Sequence, residues 1–329
     1  MIEIIEDVPP AAKSRLGFVW LEITGRCQLE CVHCYAESGP AGNHGTMTVA
    51  DWERIIDECV DLGVTMVQFI GGEPTLHPDL SALIGYALGR GLEVEVFSNL
   101  VHVSPALWEA FDQPGVRLAC SWYSTDPGEH QLIVGRNTHA RTKANLAETV
   151  RRGIPVRAGI IGMRKSQDID AAARELAEMG VTDVGVDHLR QVGRGTRDRD
   201  ASIAELCGNC GDGVVAVGPD GSVWPCVFSR WMSAGNVHEA ALVDIVTGQA
   251  MTQRRTELGF TDHQCDHCHE AGVGGGVAAC RPSTPCSPAC NPKCHPRCGP
   301  ACTPNCTPKC SPSCNPCGPG RRCWPFYEK

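Results

Sequence analysis

The sequence lacks basic blocks, long apolar runs and a basic, apolar N-terminus, and each absence excludes a class of protein. Its 329 residues carry a formal net charge of −9, so we expect no positive surface that would attract nucleic acid. No apolar stretch is long enough to cross a membrane. The segment from Met1 to Asp7 is acidic and is unlike a signal peptide. We therefore expect a cytoplasmic protein that binds neither nucleic acid nor a membrane.

Cysteine is abundant instead, with 21 residues in the chain. Secreted proteins use many cysteines for disulfides, whereas a reducing compartment keeps thiols available for metal binding. Hydrophobic residues make up 42% of the chain, and the length suits one large domain and a smaller one. Cys59 falls on a predicted helix and Cys120 in a predicted strand, and a buried free cysteine acts as a small apolar side chain. The composition predicts a metal-binding protein with these two cysteines in its core.

A strand–helix unit repeats from about Phe18 to Asp187. The predicted strands are near-continuous apolar or β-branched runs, as expected for parallel strands covered on both faces. Thr48 and Asp168 are predicted N-caps, and a glycine, which lacks Cβ, ends four of the helices. Such repeats predict an α/β fold with a parallel sheet. The strands are predicted at residues 18–23, 64–70, 92–97, 116–122, 154–161 and 181–187, and the helices at 49–62, 79–90, 105–111, 142–152 and 169–179, with stops at Gly63, Gly91, Gly153 and Gly180.

Three cysteines follow the first predicted strand in the spacing Cys-x3-Cys-x2-Cys: Cys27, Cys31 and Cys34. Three thiolates on one short loop can bind three irons of a 4Fe–4S cluster and leave the fourth iron open to a chelating cofactor. A structural zinc site would need a fourth ligand, for which His33 and His44 are available. A disulfide would leave an odd thiol. The loop alone favours the cluster and leaves these alternatives open.

This cysteine motif, taken with Gly71-Gly72-Glu73-Pro74 after the second predicted strand, resembles the radical S-adenosylmethionine (radical SAM) superfamily. The resemblance implies an open, partial (β/α)6 barrel with its site at the carboxyl ends of the strands. It implies a 4Fe–4S cluster on the three cysteines, with SAM chelating the open iron. It also implies SAM contacts from Gly71, Gly72, Glu73, Ser98, Asn99 and Ser121. For the last three residues, capping of the strand ends is the alternative.

A second group of cysteines surrounds a predicted hairpin with a Pro219-Asp220-Gly221 turn. The arrangement resembles the SPASM extension of radical SAM enzymes, which implies one or two auxiliary 4Fe–4S clusters; a zinc ribbon is the alternative. Beyond Cys268 the spacing departs from the usual SPASM pattern. The implied ligands are Cys207, Cys210 and Cys226 for a first auxiliary cluster, Cys265 and Cys268 for a second, and Cys280, Cys286 and Cys290 as candidates for the remaining positions.

The tail repeats Cys-x-Pro-x up to Cys314, and proline at every fourth residue forbids a regular helix. A low-complexity tract of this composition is typical of metal-binding segments. It could complete the second auxiliary cluster and bind further metal, serve as a fused substrate, or act as a tether. We predict an N-terminal arm at 1–17, a barrel at 18–195, a SPASM-like domain at 196–290 and the tail at 291–329.

The resemblance implies a 5′-deoxyadenosyl radical that abstracts hydrogen from a C–H bond, with electrons from a donor such as ferredoxin or flavodoxin. SPASM enzymes commonly modify ribosomally made peptides by a crosslink, a thioether or an epimerisation, and we favour a peptide or protein substrate. A small-molecule dehydrogenase or decarboxylase is the alternative, and a metal-buffering scaffold is a third possibility. The polar residues near strand ends receive no catalytic role: Tyr123, Asp126, His130, Asp187, His188 and Arg190.

Overall fold

The computed structural model describes residues 16–164, 166–197, 199–207 and 210–259. Its strands are β1 (Phe18–Thr24), β2 (Met66–Gly71), β3 (Glu93–Phe97), β4 (Val116–Trp122), β5 (Val156–Gly162), β6 (Asp183–His188), β7 (Val214–Val217), β8 (Ser222–Trp224) and β9 (Gly235–Asn236). The α-helices in this part of the chain are α1 (Val49–Asp61), α2 (Leu80–Gly89), α3 (Pro105–Phe111), α4 (Pro127–Val134), α5 (His139–Arg151), α6 (Ile169–Glu178), α7 (Leu242–Thr247) and α8 (Gln249–Glu257).

All nine strands form one sheet in the order β6-β5-β4-β3-β2-β1-β7-β8-β9. Strands β1 to β6 are parallel, and each of β2 to β6 pairs with the strand that precedes it in the chain. The predicted α/β fold with six parallel strands is therefore confirmed. Since parallel strands end at the same edge of a sheet, the loops that follow them gather there.

The hairpin of the second cysteine region joins this same sheet. β7 lies parallel to β1, on the side away from β2, and pairs Phe18 with Val214. β7 and β8 are antiparallel, and Gly221 ends the predicted turn between them with a φ of +81°. The cysteines near this hairpin thus flank β7 and β8, and β7 lies next to β1, which leads into the first cysteine motif.

The helix boundaries follow local signals in the sequence. The Thr48 side chain accepts a hydrogen bond from the Asp51 backbone N at 3.2 Å, and Asp168 caps α6 through the Ala171 backbone N at 2.8 Å. Both predicted N-caps are confirmed. No helix in the described part of the chain is long and apolar enough to cross a membrane. The glycines at the four predicted stops have φ between +71° and +89°: Gly63, Gly91, Gly153 and Gly180.

Helix α4 is absent from the expectations drawn from the sequence. It begins after Asp126, whose carboxylate accepts a hydrogen bond from the Glu129 backbone N at 2.6 Å. Its first residue is Pro127, and it ends at Gly135 in the left-handed conformation. An acidic N-cap, a proline at the first position and a final glycine are recognisable helix signals, so the sequence did carry the information.

Strand β1 is buried along its whole length because both faces of the sheet are covered around it. Val19, Leu21 and Ile23 pack into the main core between the sheet and its helices. Phe18 and Trp20 face the other way, into an apolar cluster that also contains cysteines of the second region. The two cysteines expected in the core are fully or almost fully buried in it: Cys59 and Cys120.

Candidate functional site

A cavity opens at the carboxyl edge of the sheet, with about 1540 Å³ of empty space including its open mouth. Six cysteines from two separate parts of the chain line it: Cys27, Cys31, Cys34, Cys207, Cys210 and Cys226. Five of the six residues for which SAM contact is implied line it too: Gly71, Gly72, Ser98, Asn99 and Ser121. Glu73, the sixth, is not part of the lining.

The first three cysteines lie on the loop of residues 25–39, called here the cysteine loop. The Cys27 backbone N donates to the Gly39 carbonyl at 3.1 Å, which closes the loop on itself. The Cys27 sulfur accepts from the Leu29 backbone N at 3.4 Å and from Asn99 Nδ2 at 3.7 Å. Donors aimed at this sulfur stabilise its thiolate form, the form that binds metal.

Two thiols of the cysteine loop, those of Cys27 and Cys31, have raised pKa values. Burial, followed by the nearby charge of Glu73, raises the pKa of Cys27 to about 12. Burial also raises the pKa of Cys31, and its neighbours Cys34 and Cys27 raise it further. Metal binding at this loop must therefore release protons and must weaken as the pH falls.

The donor set fits an iron–sulfur cluster better than a single ion. Within the described residues, no group of three or more His, Cys, Asp or Glu side chains converges closely enough to hold one metal ion. A 4Fe–4S cluster binds each cysteine through a different iron, so its thiols need not converge on one point. Both histidines considered as a fourth zinc ligand are engaged elsewhere, His33 with Tyr123 and His44 with Thr24.

Gly71 and Gly72 bring the segment after β2 against the cysteine loop. The Gly72 backbone N donates to the Thr24 carbonyl at 2.7 Å. A Cβ at Gly71 would lie 2.3 Å from the Thr24 carbonyl oxygen, and a Cβ at Gly72 would lie 2.3 Å from that of Arg26. The family resemblance implies that both glycines contact SAM. In the structure, the close approach is to backbone of the neighbouring loop.

The Glu73 carboxylate holds the ends of β2 and β3 together. It accepts from the Thr75 hydroxyl at 2.7 Å, from the Ser98 hydroxyl at 2.8 Å and from the Asn99 backbone N at 2.7 Å. Burial raises the pKa of this carboxyl, and these hydrogen bonds oppose the rise. Its oxygens are committed to protein donors, so its side chain acts here by ordering Ser98 and Asn99.

The strand-end polar residues cap backbone and line the cavity at the same time. Ser98 Oγ accepts from the Leu100 backbone N at 3.0 Å, and Asn99 Oδ1 accepts from the Val101 backbone N at 3.0 Å. Ser121 lies near the end of β4, two residues before Tyr123. The capping alternative therefore holds for Ser98 and Asn99, and their SAM contact stays a prediction.

The second cysteine group comprises Cys207, Cys210 and Cys226. The sulfurs of Cys210 and Cys226 lie 2.7 Å apart without a disulfide. Hydrogen bonds with Cys207 and Cys226, together with burial, raise the pKa of Cys210. Ser229 orients this region by donating its hydroxyl to the Cys226 carbonyl at 3.0 Å. The three implied ligands of the first auxiliary cluster are thus brought together.

The other implied auxiliary ligands lie outside the described residues. The ligand roles of these cysteines and the role of the Cys-x-Pro-x tail remain predictions. The bounds of the four predicted segments of the chain also remain predictions. The cysteines concerned are Cys265, Cys268, Cys280, Cys286 and Cys290.

A buried ion pair joins the second cysteine region to β1. Arg230, four residues after Cys226, donates to the buried carboxylate of Glu22. Its guanidinium lies 4.4 Å from the ring centroid of Trp224, a stacking contact that stabilises a partly desolvated cation. Sequence analysis did not identify this pair, since no local pattern connects residues 208 positions apart.

Several polar residues near strand ends do reach the cavity. Tyr123 and His33 lie at hydrogen-bond distance, 3.2 Å from Oη to Nε2. At the end of β6, Asp187 accepts from Arg190 Nη2 at 3.1 Å. The residues of this kind in the cavity lining are Tyr123, His130, Asp187, His188 and Arg190; Asp126 serves instead as the N-cap of α4.

Comparisons with known proteins agree with this geometry. A family model described as the radical SAM superfamily matches residues 21–177. A second model, SPASM, described as an iron–sulfur cluster-binding domain, matches residues 207–269. The two matched regions contain the cysteine loop and the second cysteine group, respectively.

Among proteins with similar sequences is a PqqA peptide cyclase of Xanthomonas campestris pv. campestris (strain B100). It is 27% identical over 200 residues, which are 60% of this chain and 52% of that protein. A PqqA peptide cyclase of Ruegeria pomeroyi (strain ATCC 700808 / DSM 15171 / DSS-3) is 33% identical over 188 residues, 55% of this chain and 50% of that one. The chain thus spans about half the length of these relatives.

Solved structures share the fold at low sequence identity. Streptococcus suis SuiB bound to its precursor peptide SuiA superposes with a TM-score of 0.62 at 15% identity, covering 73% of this chain and 67% of SuiB. Native anSMEcpe with bound AdoMet superposes with a TM-score of 0.58 at 12% identity, covering 72% and 82% of the two chains. Both superpositions cover nearly three quarters of this chain.

Proposed function

Because this chain belongs to the radical SAM superfamily and carries a SPASM iron–sulfur domain, we propose that it modifies a ribosomally made peptide or protein by hydrogen abstraction from a C–H bond. The observation that carries the proposal is that the cysteine loop and the second cysteine group line one cavity. A substrate in that cavity lies between the two cysteine sites. The modification is a crosslink, a thioether or an epimerisation.

The residues present fit the cofactors of this family, a 4Fe–4S cluster with SAM and auxiliary 4Fe–4S clusters. Cys27, Cys31 and Cys34 would hold the first cluster, and the second cysteine group would contribute to an auxiliary one. SAM bound there supplies a 5′-deoxyadenosyl radical after one-electron reduction. We assign SAM contact to the cavity-lining residues Gly71, Gly72, Ser98, Asn99 and Ser121. Glu73 serves the SAM site by ordering Ser98 and Asn99 at the strand ends.

The cavity wall is suited to exclude water from a reactive species. Trp20 and Ile70 line it from the sheet, and Val227 and Phe228 line it from the second cysteine region. An apolar, enclosed wall limits side reactions with solvent. The sequence similarity to PqqA peptide cyclases supports a peptide substrate.

We infer that a low-potential donor such as ferredoxin or flavodoxin delivers the electron. We also infer that the enzyme works in the cytoplasm, because its many thiols must stay reduced to bind metal. Both inferences rest on the cysteine content and on the family.

The proposal is tested with the full chain, reconstituted anaerobically with iron and sulfide. Incubation with SAM and dithionite should release 5′-deoxyadenosine. Short peptides encoded beside the gene are then added, and their masses are measured with and without SAM. A SAM-dependent mass change in a peptide supports the proposal. If a burst of 5′-deoxyadenosine forms only when a small metabolite is added, the result favours the small-molecule alternative. If no 5′-deoxyadenosine forms under any condition, the result contradicts radical SAM activity.

A further inference from the structure

The cysteine loop is held from outside by an arginine that follows β6. The Arg194 backbone N donates to the Cys34 carbonyl at 3.0 Å. Its side chain donates from Nε to the Cys31 carbonyl at 2.8 Å and from Nη2 to the Ser38 carbonyl at 2.7 Å. One residue therefore binds three carbonyls of the loop that bears the three thiols. From the sequence, this residue lies only at the predicted end of the barrel, residues 18–195.

The two glycines beside Arg194 show that this segment is shaped to pack on the loop. A Cβ at Gly193 would lie 2.3 Å from the Tyr35 carbonyl oxygen and 2.5 Å from that of Cys34, and its φ is +51°. A Cβ at Gly195 would lie 2.5 Å from the Arg190 carbonyl oxygen. Neither position accepts a side chain without moving backbone, so Arg194 reaches the cysteine loop because its neighbours are glycines.

The contact uses properties that lysine lacks. A guanidinium is planar and presents donors in a fixed fork, so it can bind two separate carbonyl groups in one orientation. A lysine ammonium would keep the charge but could not donate hydrogen bonds to both carbonyl groups in these directions. The Arg194 charge also lies beside the cysteine loop, since its Nε is 2.8 Å from the carbonyl oxygen of Cys31. A fixed positive charge at this site therefore favours negative charge on the sulfurs.

We propose that Arg194 is a positioning residue for the iron–sulfur cluster of the cysteine loop. Its hydrogen bonds to the carbonyls of Cys31, Cys34 and Ser38 hold the loop in the conformation that binds the cluster. Its charge stabilises the reduced, more negative state of the cluster. The effect of the Arg194 charge on the cluster rests on the proposed function. The positioning of the loop does not, because the loop is present with or without metal.

The test compares Arg194→Lys and Arg194→Met with Arg199→Met as the matched control. Arg199 is exposed, lies in the same segment and donates to Gln191, so its loss removes one charge without touching the loop. Hydrogen exchange is measured on the metal-free full chain, over residues 27–39. Separately, the reconstituted chain is titrated by EPR, with the loop cluster identified by the change in its signal when SAM is added.

Both Arg194 variants should exchange faster than wild type over residues 27–39, with Arg199→Met unchanged. At a fixed ambient potential, Arg194→Met should show a several-fold lower ratio of reduced to oxidised loop cluster, since loss of the cation favours the oxidised state. Arg194→Lys should stay close to wild type in this ratio because it keeps the charge. A merely structural role would move the exchange and leave the ratio unchanged in all variants.

Wild-type exchange in both Arg194 variants overturns the positioning role, and a wild-type ratio in Arg194→Met overturns the electrostatic role. If Arg194→Met does not fold, hydrogen exchange of Arg194→Lys still tests the positioning role. A low ratio of reduced to oxidised cluster in Arg194→Lys, which keeps the charge, contradicts the electrostatic role. A wild-type chain that takes up no cluster contradicts the proposed function, whereas the exchange of the metal-free chain still tests Arg194.

Discussion

The ring of Tyr35 meets the ring of Phe228 edge to face, with centroids 5.1 Å apart. Tyr35 directly follows Cys34 in the cysteine loop, and Phe228 lies two residues after Cys226 in the second cysteine region. The two metal-binding regions are thus in direct side-chain contact, although they are almost two hundred residues apart in sequence. Order in one region is therefore expected to depend on order in the other.

This contact should be measurable as a coupling energy. Replacing Tyr35 and Phe228 with leucine, singly and together, keeps apolar volume and removes the edge-to-face geometry. We expect a coupling of about 0.5–1.5 kcal/mol, the usual value for an aromatic pair. Urea unfolding of the metal-free full chain gives the four free energies of unfolding for the cycle. Strictly additive single effects would show that the two loops do not stabilise each other.

Cys31→Ala should abolish SAM cleavage because two thiolates cannot hold the cluster of the cysteine loop. Iron content should fall by about four atoms per chain, since this type of ligation carries a four-iron cluster. Cys59→Ala is the control: Cys59 is fully buried in the core and should keep both iron and cleavage. Deoxyadenosine production by Cys31→Ala at the wild-type rate would falsify the assignment of this loop.

The sequence predicted the elements whose signals are local. Most of the strands β1 to β6 are rich in apolar or β-branched residues, and the helix stops are glycines that need a positive φ, so both could be recognised without a structure. The spacing of Cys27, Cys31 and Cys34 is likewise contained in eight consecutive residues. Local patterns of this kind fix which residues belong to the site.

Contacts between distant segments could not be predicted in this way. That β7 lies beside β1 depends on strand order, which hydrophobic patterning does not encode. Arg194 binds the cysteine loop from a segment that reads as a polar linker, because its partners are carbonyl groups and any sequence supplies those. The geometry around the six cysteines therefore had to come from the structure.

Cys226→Ala should separate SAM cleavage from product formation. The cysteine loop keeps its three thiols, so deoxyadenosine should still form. Cys226 lies 2.7 Å from Cys210 in the second cysteine group, so an auxiliary cluster should be lost, with about four atoms of iron, and peptide modification should fall at least tenfold. Cys120→Ala, the control in the buried part of β4, should change neither the iron content nor the peptide modification. Normal modification with wild-type iron content would contradict an auxiliary cluster on Cys226.

His130 should make the fold less stable as the pH falls from about 6.5 to 4. Burial, followed by the nearby His139, lowers the pKa of His130 to about 4, whereas an unfolded histidine titrates near 6.5. The unfolded chain therefore binds the proton first, and the stability present above pH 6.5 is lost on acidification, by up to roughly 3 kcal/mol. Urea unfolding of the metal-free chain should show a shallower pH dependence in His130→Gln. An unchanged slope would refute this linkage.

Gly72→Ala should separate the Gly71–Pro74 segment from the cysteine loop. The new Cβ would lie 2.3 Å from the Arg26 carbonyl oxygen, a backbone atom that cannot move without displacing the residue before Cys27. We expect a loss of about 2 kcal/mol or more in the free energy of unfolding, together with weaker SAM binding.

Gly85→Ala is the matched control for Gly72→Ala, because Gly85 lies within α2 and a Cβ there meets nothing within 4 Å. Alanine in a helix interior should stabilise the chain there, by up to roughly 1 kcal/mol. Equal stability of the two variants in urea unfolding would show that the packing of Gly72 on the cysteine loop does not constrain the site.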